Sequence, residues 1–147
     1  MLKVLSGDIG GTSTRLALFD MAAGRGAVLE QRDYTSADYA TFTEILSDFS
    51  MHTDTACAAA CFGVAGPVRA GHSRITNLPW TIDARELEAI FGWPRVGLLN
   101  DLEAIAWGIG ALEEQDFCTL NAGQPEVAGN QAVIAAGTGL GQAGRVW

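Results

Sequence analysis

The 147-residue chain is long enough for one domain or one lobe of a larger one, and its 48% apolar content can supply a buried core. Nine basic against 17 acidic residues leave a net charge of −8, the wrong sign for a nucleic-acid or membrane-surface partner. Nucleotides stay open, because local N–H groups and a metal can bind them. No apolar run approaches the roughly 20 residues of a membrane helix, and the start, MLKVLSGD, has too short an apolar stretch for a secretory signal. Cys57, Cys61 and Cys118 are odd in number and lack C-x-x-C pairing, which predicts buried free thiols in a reducing cytoplasm. His52 and His72 stand apart, which argues against a structural metal site.

In chain order, residues 2–6 predict a buried strand, followed by the glycine-rich turn GDIGGTSTR (7–15). TRLALFD then alternates, with Leu16 and Leu18 on one face. MAAGRG predicts a turn and AVLEQRDY a third strand, completing a meander. Thr35-x-x-Asp38 has the spacing of a capping box and predicts a helix with the stripe Tyr39, Phe42, Ile45, Leu46 and Phe49. TACAAACFGVAGP predicts a fourth strand, with small Cys57, Ala59 and Cys61 on one face, and GPVRAGHSRITNLPW an irregular excursion. DARELEAIF predicts a short helix bearing Leu87, Ile90 and Phe91, and RVGLLND a fifth strand ending at Asn100 and Asp101. A helix with the stripe Leu102, Ile105, Ala106, Ile109 and Leu112 follows. EEQDFCTLNAGQPEVAGN reads as a connector with room for one strand, and QAVIAAGTGLGQAG as a strand running into glycines. The order βββαβαβα predicts a mixed α/β lobe.

Three polar segments fall at strand ends or tight turns, where ligands gather in such sheets. In the first, Gly10 and Gly11 permit close backbone approach, and successive N–H groups in such a turn form an anion nest. Thr12, Ser13 and Thr14 add hydroxyls. Asp8 repels a phosphate unless a divalent cation lies between them, as Mg²⁺ does when held by a carboxylate and phosphate oxygens. No Lys follows the glycines, so this is not a Walker loop, and a plain hairpin turn accounts for the same residues. In the second, LLNDLEAIAWGIGAL, Asn100 suits an N-cap, Glu103 completes a capping-box-like pattern, and Asp101 complements the helix dipole. A second reading has Asp101 accept a proton from a substrate hydroxyl while Asn100 orients another. A carboxylate at a helix start is a weak base, which phosphoryl transfer tolerates because positioning outweighs proton abstraction. In the third, Gly139-x-Gly141-x-x-Gly144 matches a dinucleotide fingerprint, but RVW reads as strand where a helix is needed. A second phosphate-binding turn fits better, with Thr138 donating its hydroxyl and the glycines their N–H groups.

Taken together, GDIGGTSTRLALFD, TNLPW, NDLEAIAWG and AAGTGLGQA, in that order and spacing, resemble the bacterial-type glucokinase group of the sugar kinase, heat-shock ATPase and actin superfamily. They are similar, respectively, to its first phosphate motif, its sugar-side loop, the segment with the catalytic aspartate, and its second phosphate motif. The resemblance implies an α/β, ribonuclease H-like (actin-like ATPase) lobe with a mixed five-stranded sheet and flanking helices. It implies a glycolytic enzyme that uses ATP and Mg²⁺ to phosphorylate the 6-hydroxyl of D-glucose. By position it makes Asp101 the general base and Asn100 a sugar partner. Asn77 is a further sugar-site candidate, although a turn-forming Asn before Leu-Pro explains it equally. Gly7, Asp8, Ile9, Gly10, Gly11, Thr12, Gly137, Thr138 and Gly139 address the ATP phosphates, with Asp8 near the metal.

Family members continue into a larger second lobe that supplies further sugar-binding acids, a His and the adenosine pocket. The resemblance therefore implies residues 1–112 as the first lobe and 113–147 as the opening strands of a truncated second one. Its partners are glucose, ATP, the missing C-terminal lobe and, as a candidate, a second copy. One lobe cannot close a cleft, so the chain alone is expected to lack turnover and to self-associate through exposed apolar surface. A fructose, mannose or amino-sugar kinase and a non-catalytic sugar- or nucleotide-binding module are the competing readings. A repressor of the same branch has no room for a helix-turn-helix in the six residues before Gly7.

Overall fold

The computed structural model of the chain describes residues 1–22, 26–124, 129–136 and 140–146. They fall into two compact units, Met1–Asp101 and Leu102–Trp147.

The first unit begins with a meander of β1 (Lys3–Ile9), β2 (Ser13–Asp20) and β3 (Ala27–Thr35). Helix α1 (Phe42–His52) leads to β4 (Ala59–Val64). Three short strands follow, β5 (Val68–Arg69), β6 (His72–Arg74) and β7 (Thr81–Asp83). Helix α2 (Ala84–Phe91) then returns the chain to β8 (Val96–Asn100). The main sheet has the order β3-β2-β1-β4-β8. The first three strands are antiparallel, and β1, β4 and β8 run parallel. This is the expected mixed five-stranded sheet.

Register sorts the side chains into rows, because neighbours across a sheet share a face. Leu18, Leu5, Ala60 and Val96 form one row; Leu16, Gly7, Phe62 and Leu98 the next; Thr14, Ile9, Val64 and Asn100 the last. The apolar members of these rows join Phe42, Ile45, Leu46 and Phe49 of α1 and Leu87 of α2 in one core. Phe62 is central, with its ring 5.1 Å from Phe42 and 6.2 Å from Trp93. The opposite face carries Ser6, Ala17, Ala59, Cys61 and Gly97.

The structure corrects several sequence expectations. β1 does not stop at Ser6: Gly7, Asp8 and Ile9 are paired on both sides, so the turn is confined to residues 10–12. Thr35 does not cap α1; it precedes a 3₁₀ turn, Ser36–Asp38, and makes no side-chain cap bond. Thr41 is the cap, accepting from Glu44 N at 3.2 Å, while the Glu44 carboxylate accepts from Ala40 N at 2.8 Å. Tyr39 therefore lies outside the helix. The excursion after β4 is ordered as the sheet β5-β6-β7, its pairing set by turns that hydropathy patterning does not display. Ile90 of α2 is exposed while Leu87 is buried. Cys57 precedes β4, and of the three free thiols Cys118 is exposed and the others half-buried. Of the MAAGRG turn, residues 23–25 lie outside the described residues.

Helix α3 (Asp101–Gly108) starts directly after β8 and runs into a 3₁₀ turn, Ile109–Ala111, so the expected longer stripe is cut short. Along that stripe Ala106 is buried, but Ile105 and Leu112 are exposed. The described part of the connector holds no strand, only a 3₁₀ turn at Glu114–Asp116. β9 (Gln131–Ala136) and β10 (Leu140–Arg145) pair as an antiparallel hairpin. Within this second unit Leu102 fills the space above Gly141, where an added Cβ would come within 2.7 Å of it. No helix among the described residues is long and apolar enough to cross a membrane.

Candidate functional site

The carboxyl ends of β1, β4 and β8 lie side by side, and in parallel sheets that edge collects loops that can turn toward a ligand. β1 ends at Ile9, whose side chain is in the core and whose carbonyl accepts from Ala65 N at 2.9 Å. Gly7 is also buried, and a Cβ there would meet both Leu16 and Phe62 at 2.8 Å. Its missing side chain serves packing between two strands, so Gly7 and Ile9 can address a ligand only through their backbone.

Asp8 points to the other face, level with Arg15 and Gly63. Its side chain is exposed at the surface, yet the neighbouring chain desolvates the carboxyl enough to push its pKa up. The negative charge of Asp101 adds to that rise, and Arg15 opposes it. Arg15 is itself engaged by Asp33 at 2.6 Å. The two acids are thus electrostatic neighbours, although 93 positions separate them in sequence.

The turn at residues 10–12 needs its glycines. Gly10 N donates to Ser13 O at 2.9 Å, and a Cβ on Gly10 would sit 2.9 Å from that same oxygen. A Cβ on Gly11 would lie 3.1 Å from the Cβ of Asn77. The structure therefore brings the TNLPW loop against the first glycine turn. Behind the turn, the buried Ser36 hydroxyl donates to Gly10 O at 2.9 Å and lies 2.9 Å from the buried Thr14 hydroxyl. Ser36 N also donates to Thr12 O at 3.0 Å.

A second turn ties the remaining segments together. Ala65 O accepts from both the backbone N and the hydroxyl of Thr76, the residue before Asn77. Gly66 O accepts from the Asn100 side-chain amide at 3.1 Å. A Cβ on Gly66 would fall 2.6 Å from Arg74 O, so only glycine fits between this turn and β6. Asp101 follows Asn100 as the first residue of α3.

Asp8, Gly10, Gly11, Thr12, Asn77, Asn100 and Asp101 are thus gathered at one sheet edge. Gly137, Thr138 and Gly139 lie outside the described residues. Sequence reasoning missed Ser36, Ala65 and Gly66, and it offered the Thr14 hydroxyl to a ligand, whereas that hydroxyl is buried against Ser36. Ser36 was hidden inside an apparent helix cap, and Gly66 inside the end of a strand. Asp8 fits a hard divalent cation in donor chemistry: it is a carboxylate oxygen source within electrostatic reach of a second carboxylate, Asp101, and it precedes the glycine turn by two residues. Mg²⁺ prefers this sparse arrangement, completed by water and phosphate oxygens, to an all-protein cage. Among the described residues no cluster of three or more His, Cys, Asp or Glu forms such a cage.

The glucokinase family model matches residues 5–147. The chain belongs to the glucokinase family. It is 38% identical over 144 residues to the glucokinase of Nostoc punctiforme, an alignment that covers 97% of this chain and 42% of that protein. Among solved structures, a glucokinase from an Antarctic psychrotroph superposes with a TM-score of 0.84 at 31% identity, covering 99% of this chain and 47% of the other. A ROK family glucokinase from Streptomyces griseus, solved with glucose and AMPPNP, shares the fold with a TM-score of 0.66 at 23% identity. The architecture is therefore the α/β, actin-like ATPase fold that the motifs implied. The chain spans less than half the length of the glucokinases it matches.

Proposed function

We propose that the full-length protein containing this chain is an ATP-dependent glucose kinase, and that this chain supplies its first lobe and the opening strands of its second. The boundary falls near residue 112, with residues 113–147 starting the second lobe. The observation that carries the reading is that Asp101, at the start of α3, is close enough to raise the proton affinity of Asp8, while Asn77 lies against the glycine turn at Gly11. A sugar held by Asn77, Asn100 and Asp101 then lies next to a polyphosphate held by the turn.

In this mechanism the turn at residues 10–12 binds phosphate oxygens through N–H groups other than that of Gly10, which donates to Ser13 O, and through the Thr12 hydroxyl. Gly137, Thr138 and Gly139 are the further phosphate-binding residues that the sequence implies. Asn100, its amide nitrogen anchored on Gly66 O, and Asn77 orient the sugar. Asp101 accepts the proton of the 6-hydroxyl as that oxygen bonds to the γ-phosphorus. The bond from that phosphorus to the bridging oxygen breaks, and ADP leaves. Asp8 would hold Mg²⁺, which when bound neutralises charge on the transferring phosphates. Because the transition state is loose, a weak base such as a carboxylate suffices and alignment does most of the work.

The test is product analysis with the full-length protein, ATP and a panel of hexoses. The expected result is glucose 6-phosphate formed faster than any fructose, mannose or amino-sugar phosphate. Preference for another hexose would reassign the substrate, and absence of any phosphorylated sugar would overturn the reading.

A further inference from the structure

We propose that Ser36 is a positioning residue for nucleotide phosphates, acting through the glycine turn it underpins; this rests on the kinase reading above. Ser36 is fully buried at the end of β3, 26 positions from Gly10, and is bonded to the turn twice. Its hydroxyl donates to Gly10 O and its backbone N to Thr12 O. Because the Ser36 proton is committed to Gly10, the bond between the two buried hydroxyls must run from Thr14 Oγ1 to Ser36 Oγ. The result is a relay, Thr14 to Ser36 to Gly10, in which each bond polarises the next.

Peptide geometry supplies the consequence. The described peptide bonds are all trans, so the C=O and N–H of one peptide unit point in opposite directions. Ser36 draws the Gly10 and Thr12 carbonyls toward the buried side. The N–H groups of the same two units, those of Gly11 and Ser13, are thereby turned away from the core. Gly10 N is not available in this way, since it donates to Ser13 O. The turn thus presents two selected amides outward with their carbonyls pinned behind, which removes oxygen lone pairs from the path of an anion. Two amides held in place in this manner form a preorganised anion site, with little reorganisation required when phosphate arrives.

The full-length protein tests this with MgATP and with tripolyphosphate as probes. In the wild type, the Gly11 and Ser13 amide resonances shift on adding either probe and the Gly10 amide moves little. Ser36→Ala raises the KM for ATP and weakens tripolyphosphate binding about tenfold, the scale of one well-placed hydrogen bond, while the KM for glucose is unchanged. Thr14→Val removes a buried bond of the same relay but leaves Ser36 on Gly10, so it lowers stability while ATP affinity stays within about twofold. Should Ser36→Ala fail to fold, the wild-type amide shifts decide alone. Gly10 shifting while Gly11 and Ser13 stay still would overturn the inference, as would undiminished probe binding by Ser36→Ala. Wild-type protein that binds neither probe overturns the kinase reading and the inference with it.

Discussion

At the scale of single residues, the site is held against its own electrostatics. Asp8 carries a pKa raised by partial desolvation and by Asp101, so its charged form is disfavoured in the folded protein relative to the unfolded chain. The sign follows from linkage: the penalty is absent below the ordinary carboxylate pKa, grows as pH rises toward the folded value, and is complete above it. Asp8→Asn is therefore expected to raise the melting midpoint at pH 7, with the gain fading as pH falls through the carboxylate range. The same variant loses Mg²⁺-dependent ATP binding. Thermal melts from pH 3 to 8 check the first statement and ATP titrations with and without Mg²⁺ the second. A variant no more stable than wild type at pH 7 contradicts the assignment. Asp8 was visible in the sequence as an acid among glycines, and Asn100 and Asp101 as polar residues ending a buried strand. Ser36 and Gly66 were not, since their roles depend on which oxygen stands opposite them in space.

At the scale of elements, caps and turns make separable predictions. Thr41→Ala is expected to cost about 1 kcal/mol of stability, as loss of a helix cap does, and Thr35→Ala less, since Thr35 makes no cap bond. Denaturant midpoints of the two variants decide between them, and equal effects would contradict the placement of the cap at Thr41. Gly66→Ala forces a Cβ against the Arg74 carbonyl and is expected to cost about 1–3 kcal/mol by overpacking. It also moves the acceptor that anchors Asn100, so in the full-length enzyme the KM for glucose should rise more than the KM for ATP. β1, β2, β4 and β8 were legible from apolar runs, since each sends apolar residues of one alternating face into the core. β3 buries only Tyr34 and was legible from its place after the second turn of the meander. The small sheet β5-β6-β7 was not: its strands have two or three residues each, too few for alternation to register. The cap was misread because Thr35 and Thr41 both precede an acid by three residues, and only packing of Phe42 onto Phe62 selects the second.

At the scale of the whole molecule, the second unit exposes Trp107, Leu112, Phe117, Leu120, Ile134, Leu140 and Val146. That much apolar surface on 46 residues favours association. The isolated 147-residue chain is expected to elute in gel filtration at an apparent mass that rises with concentration, and a concentration-independent monomer would contradict this. On the proposed reading, phosphoryl transfer needs a cleft that can close over the substrates, so it is tested on the full-length protein. The central claim is that Asp101 acts on the sugar hydroxyl while the glycine turn near Asp8 holds the nucleotide. The most direct measurement is ADP release by full-length Asp101→Asn with glucose and ATP, paired with its dissociation constant for ATP. The account predicts kcat lower by at least about 10²-fold, as loss of a positioned base implies, with ATP affinity unchanged; turnover near the wild-type rate would contradict it.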